Sequence, residues 1–131
     1  MTILICDDEI HIRAILGTKL RSAGHTVFEA SDGDRGFAIA QHNSPAVIVS
    51  DFQMPGGDGL TMATRLHATV WGRTIPIVLL TARGHTLDEG VLRATNIRTI
   101  IDKPFSAREV LSVVERLERE EGSRGTNAVA A

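Results

Sequence analysis

The sequence predicts an α/β fold: a parallel sheet of five strands, covered on both faces by five helices. Short apolar runs alternate with longer segments of helical periodicity along nearly the whole chain. Runs such as "AVIVS" and "IPIVLL" are apolar almost throughout, which suits strands buried on both faces. Strands that alternate with helices need crossovers, and right-handed crossovers lay the helices over both sides of the sheet.

The elements follow in order. Thr2 to Cys6 reads as the first strand. Glu9 to Ala23 reads as a helix, because Ile12, Ile15, Leu16 and Leu20 recur at helical spacing, and Gly24 ends it. Thr26 to Ala30 is the second strand. Gly33 to His42 is the second helix, with Phe37, Ala38 and Ala40 as apolar surface. Ala46 to Ser50 is the third strand, followed by a third helix from Asp58 to Val70, with Asp58 as its cap. Ile75 to Leu80 is the fourth strand. "TLDE" has capping-box spacing and opens a fourth helix at Thr86. Ile97 to Ile101 is the fifth strand. "SARE" repeats the capping box and opens a fifth helix, Ser106 to Glu120, with Val110, Val113, Val114 and Leu117 on one stripe. "GSRGTNAVAA" has no core-building pattern and reads as a tail. The boundaries are one domain over 1–121 and a flexible tail over 122–131.

Composition narrows the function classes. The chain has 131 residues, the size of one domain with one core. Fourteen basic and sixteen acidic residues give a net charge of −2, without the basic excess expected of a nucleic-acid-binding face. No apolar run approaches the roughly 20 residues that span a bilayer. Cys6 is the only cysteine, so no internal disulfide forms and a cytoplasmic setting is expected. Cys6 itself reads as a small buried strand residue. His11, His25, His42, His67 and His85 lack metal-ligand spacing and read as surface residues, with His85 in the loop past Thr81. Trp71 reads as cover for the core edge.

Chemistry in such folds sits at the carboxyl ends of the strands. Strand one ends in Asp7 and Asp8, strand three reaches Asp51, strand four Thr81, and strand five Asp102 and Lys103. Three carboxylates, Asp7, Asp8 and Asp51, therefore share a rim with a hydroxyl and an ammonium. Crowded carboxylates repel one another and suit a hard divalent cation such as Mg²⁺. A metal, a carboxylate, a cation and a hydroxyl together suit phosphoryl transfer to the carboxylate.

Four motifs carry a family resemblance: "CDDE" (Cys6 to Glu9), "SDFQMPGGDG" (Ser50 to Gly59), "LTAR" (Leu80 to Arg83) and "DKPF" (Asp102 to Phe105). Together, in this order and at these strand ends, they resemble the receiver domain of bacterial response regulators, from about Thr2 to Arg119. The resemblance implies a flavodoxin-like sheet of strand order 2-1-3-4-5. It implies that Asp51 is the phosphoacceptor, that Asp8 ligates Mg²⁺ directly with Asp7 acting mostly through water, and that the Gln53 backbone carbonyl is a further ligand. Thr81 matches the switch hydroxyl and Lys103 the lysine that pairs with the acceptor. The Lys103–Pro104 bond is commonly cis in the family. Gln53 and Arg83 stand where the family tunes phosphate lifetime.

Two departures stand out. The family usually has Tyr or Phe where this chain has Ile100, and the chain has no tyrosine. The turn before strand five is Ala94, Thr95 and Asn96 in place of a Gly/Ala-rich stretch. The resemblance implies a stand-alone module, not an enzyme acting on an external substrate. Its phosphodonor would be a histidine kinase or histidine phosphotransfer protein. Its output would be a target protein bound through the fourth helix, fifth strand and fifth helix, at Arg93, Ile100, Arg108 and Glu109. Nucleic acid and membrane insertion are not expected. A phosphate sink or relay shuttle, and a phosphorylation-independent docking module, are the alternatives. A hydrolase of another fold would carry an aspartate where Gln53 stands.

Overall fold

The computed structural model describes residues 1–54, 58–82 and 87–130, with side chains as far as residue 120. Ten elements alternate along the chain: β1 (Thr2–Cys6), α1 (Ile10–Ser22), β2 (Thr26–Ala30), α2 (Gly33–Asn43), β3 (Val47–Asp51), α3 (Gly59–His67), β4 (Ile77–Thr81), α4 (Glu89–Arg93), β5 (Ile97–Asp102) and α5 (Ala107–Ala130). The five strands form one sheet, ordered β2-β1-β3-β4-β5, with parallel pairing throughout.

Strand side chains alternate between two apolar layers. Ile3, Ile5, Val47, Val49, Val78, Leu80 and Ile101 pack with Leu16 and Leu20 of α1 and Val110, Val114 and Leu117 of α5. Leu4, Cys6, Ile48 and Leu79 pack on the other face with Ala40 of α2 and Met62, Ala63 and Leu66 of α3. β1, β3 and β4 are covered on both faces and read as near-continuous apolar runs although their side chains alternate, whereas the edge strands β2 and β5 expose Thr26 and Arg98. At the sheet's carboxyl edge the same alternation decides which polar groups meet.

Several sequence expectations shift. α4 begins at Glu89, because Asp88 is its N-cap and accepts from the Val91 N–H at 2.8 Å. An aspartate caps at least as well as a threonine, so "LDEG" wins over "TLDE"; Thr86 lies outside the described residues. α3 ends at His67 instead of Val70, where Thr69 Oγ donates to the Leu66 carbonyl and accepts from the Gly72 N–H. Ile15 is 57% exposed, so the buried stripe of α1 is carried by Leu16, Gly17 and Leu20. On α2, Ala38 is exposed and Gly36 is buried, packed where any Cβ would meet Cys6 Sγ and Met62 Sδ. α5 continues past Glu120 through residues read as a tail; no proline interrupts its hydrogen bonding, and among its described side chains the last buried one is Leu117.

Caps elsewhere follow the sequence. Asp58 accepts from the Thr61 N–H at 2.7 Å, and Ser106 from the Glu109 N–H at 3.0 Å. Gly24 follows α1 with φ +95°, a conformation glycine adopts freely. Cys6 is fully buried, and burial foremost, then the charges of Asp32 and Asp7, push its thiol pKa up. Trp71 packs partly buried at the core edge, 5.4 Å from Phe37. His25 and His67 are not simple surface residues: His25 pairs with Glu115 at 3.3 Å, and His67 with Asn96 at 2.7 Å. Among the described residues no helix is long and apolar enough to cross a membrane.

Candidate functional site

The carboxyl ends of β1, β3, β4 and β5 converge on a pocket of about 240 Å³. Asp8, Glu9, Asp51, Phe52, Gln53, Ala82 and Lys103 line it. Oxygen atoms of Asp7, Asp8 and Asp51 lie within 4.8 Å of one another. Asp7 is fully buried, Asp51 nearly so, and Asp8 is exposed. The sheet register brings them together, since β1 and β3 are neighbours with Cys6 opposite Ser50.

Each acid is held differently. Asp7 Oδ1 accepts from the Glu9 N–H at 2.9 Å, which turns the chain from β1 toward α1. The Asp7 carbonyl accepts from Arg13 at 2.7 Å, and Arg13 faces Glu29 at 3.5 Å. Among the described residues, Asp7 Oδ2 is buried with no hydrogen-bond partner. Asp51 Oδ1 is paired to Lys103 Nζ at 2.9 Å. Directly behind Asp51, Gly59 packs so closely that a Cβ there would run into the Asp51 backbone carbonyl. Glycine is what lets α3 begin beside Asp51.

The charges perturb one another. Burial foremost raises the Asp7 carboxyl to about 6. The Glu9 N–H opposes the rise, Asp51 adds to it, Lys103 opposes it and Asp8 adds again. For Lys103, burial would lower the pKa, but the hydrogen bond and charge of Asp51, with Asp7 and Glu9, turn the net shift upward. Lys103 therefore remains an ammonium, and Asp7 ionises less readily than an ordinary carboxyl, so a cation beside it would favour its charged form. A buried orphan carboxylate oxygen within reach of two further carboxylates fits a hard divalent cation.

Thr81 closes β4 at 1% exposure. Its hydroxyl reaches the Asp102 carboxylate and the Ala82 carbonyl, each at 3.3 Å. The Lys103–Pro104 peptide bond is cis.

A family model described as "Response regulator receiver domain" matches residues 3–115. The chain belongs to that family. The receiver is 32% identical over 127 residues to the phosphate regulon transcriptional regulatory protein PhoB of Pseudomonas aeruginosa, covering 97% of this chain and 56% of that one. It is 36% identical over 117 residues to the transcriptional regulatory protein SrrA of Staphylococcus aureus, covering 89% and 47%. The receiver thus spans about half the length of these curated relatives. Among solved structures it resembles the chemotaxis response regulator CheY4 of Vibrio cholerae, with TM-score 0.81, 28% identity and coverage of 88% and 97%. It also resembles a response regulator of Chloroflexus aurantiacus, with TM-score 0.80, 30% identity and coverage of 88% and 95%. Receivers are phosphoacceptor signalling modules and not conventional enzymes, and histidine kinases phosphorylate them.

Of the residues singled out in the sequence, Asp7, Asp8, Asp51 and Lys103 meet at the pocket, and Gln53 lies exposed at its rim. Arg83 lies outside the described residues. Arg93, Arg108 and Glu109 are exposed, with Arg93 paired to Glu89 at 3.2 Å. Ile100 is half-buried and packs on the α2/α3 side of the sheet, on the layer that Leu87 and Leu92 also cover. It is a core-edge residue, not the surface residue the sequence suggests. The sequence reading missed Arg13, which braces the Asp7 carbonyl, and the pairing of Asp102 with Thr81. Arg13 carries no local signal. The Asp102 contact was available from strand parity once the β4–β5 register is known.

Proposed function

We propose that this receiver accepts a phosphoryl group on Asp51 from a phosphohistidine donor, with Mg²⁺ held by Asp7, Asp8, Asp51 and the Gln53 backbone carbonyl. The observation that carries the reading is Asp51 paired to Lys103 beside two further acids, one with an orphan oxygen. In the transfer an Asp51 oxygen bonds to phosphorus, the P–N bond breaks, and the imidazole leaves with its electron pair. When bound, Mg²⁺ would neutralise the charge on the phosphoryl oxygens. The residues of this chain do the rest. Lys103 moves from Asp51 Oδ1 to the phosphoryl oxygen, and the Thr81 hydroxyl donates to another. The signal then passes to the surface of α4, β5 and α5, where Arg93, Arg108 and Glu109 meet a target protein.

Phosphoramidate, a small P–N donor, tests this with Mg²⁺ present. The acyl phosphate should map to Asp51 after borohydride reduction. An adduct on a histidine, or none, would overturn the reading. A phosphate sink predicts loss of the group within seconds, and a switch predicts a longer-lived adduct that changes binding of a partner.

A further inference from the structure

Asp102 and Lys103 are adjacent, yet they serve different partners. Strand alternation sends Ile101 into the α1/α5 layer and Ile100 to the α2/α3 side. Continued to the strand end, the same parity places Lys103 on the Asp51 side and Asp102 on the Thr81 side. The contacts agree: Lys103 Nζ reaches Asp51 at 2.9 Å, and Asp102 Oδ1 accepts from Thr81 Oγ at 3.3 Å. Thr81 and Asp102 are also direct cross-strand partners in the β4–β5 register, so the contact is fixed by the sheet and not by a loop.

We infer that Asp102 is a positioning residue that latches the Thr81 hydroxyl in the resting receiver and must release it when the phosphoryl group arrives. This rests on the proposed phosphoacceptor role of Asp51. The Thr81 hydroxyl has one proton to donate. While it points to Asp102 or to the Ala82 carbonyl, it is not available to a group on Asp51. The 3.3 Å separation is long for an O–H···O bond, so the latch is weak enough to open. Ile100, which lacks a hydroxyl and is stiff at its first torsion, offers Thr81 no alternative partner. In this chain the carboxylate one residue later sets how readily the hydroxyl moves.

The test is a double-mutant cycle between Asp102→Ala and Thr81→Ala, read by the apparent affinity for beryllofluoride in saturating Mg²⁺ by ¹⁹F NMR. Asp102 is exposed, and an equal urea midpoint would confirm that each variant is folded. Asp102→Ala should bind the mimic about 3- to 10-fold more tightly than wild type. In the Thr81→Ala background most of that gain should vanish, because no hydroxyl remains to be released. Asp102→Asn, which keeps an acceptor oxygen without the charge, should fall between. Equal affinity of wild type and Asp102→Ala, or a gain of the same size in both backgrounds, would overturn the latch and leave the phosphoacceptor reading standing. A wild-type chain that binds no beryllofluoride would overturn both.

Discussion

A buried carboxylate oxygen without a partner costs free energy, and Asp7 carries one. Its pKa of about 6 against an ordinary 3.8 means that the folded, metal-free receiver holds this proton more tightly than the unfolded chain does. The contribution is fully present below about pH 3.8 and is lost as pH rises through about 6. Asp7→Asn removes that dependence. In EDTA, its stability relative to wild type should grow between pH 4 and 6 and level off by pH 7 at no more than about 3 kcal/mol, measured by urea unfolding. The same variant should lose Mg²⁺ affinity, so that stability and function move in opposite directions. Lys103→Ala, which strips Asp51 of its cation, should slow phosphorylation by at least about 10-fold while leaving an apo fold, read by quenched acetyl phosphate reactions. The acids, the threonine and the lysine were legible because residue type and strand-end position both announce them. Arg13 and Asp102 were not, because their roles are defined by a carbonyl and a hydroxyl on other elements.

The elements differ in how firmly they are held. β3 and β4 are buried at every residue, whereas α4 is five residues long and buries none. Helices this short gain little from their own hydrogen bonds. Amides of α4 such as Leu92, which donates to the Asp88 carbonyl, should therefore exchange with deuterium well before those of β4. Equal protection of the two would contradict a weakly held α4. Asp58→Ala should cost about 1 kcal/mol through loss of the α3 cap. The central strands β3 and β4 were readable from sequence because double burial makes them apolar nearly throughout, the edge strands β2 and β5 because they fall between helical segments, and only strand ends moved by a residue or two. The helices were less so. Nothing local distinguishes Ile15, which faces outward, from Leu16, which faces the sheet. Two caps were legible for α4, and the aspartate, Asp88, is the one that accepts from the helix's first turn.

For the whole molecule, the question is whether one phosphoryl group can move the population. A shift from 1:99 to 99:1 takes about 5.5 kcal/mol of differential interaction. A hydrogen bond to a charged group contributes about 1.5–3 kcal/mol. Thr81 alone falls short, the Asp102 contact subtracts from it, and Ile100 supplies no aromatic swing. The phosphorylated receiver should therefore populate two states that a target protein resolves into one. Relaxation dispersion on the α4 and β5 amides checks this, and complete conversion without a partner would refute it.

The central claim is that Asp51 accepts the phosphoryl group in a metal-dependent way. Intact mass after incubation with acetyl phosphate and Mg²⁺ tests it most directly. The wild type should gain one phosphoryl group, and Asp51→Ala or EDTA should abolish the gain. An adduct that persists in Asp51→Ala would contradict the account. So would the absence of any adduct together with no binding of beryllofluoride, and the docking-module reading would then take its place.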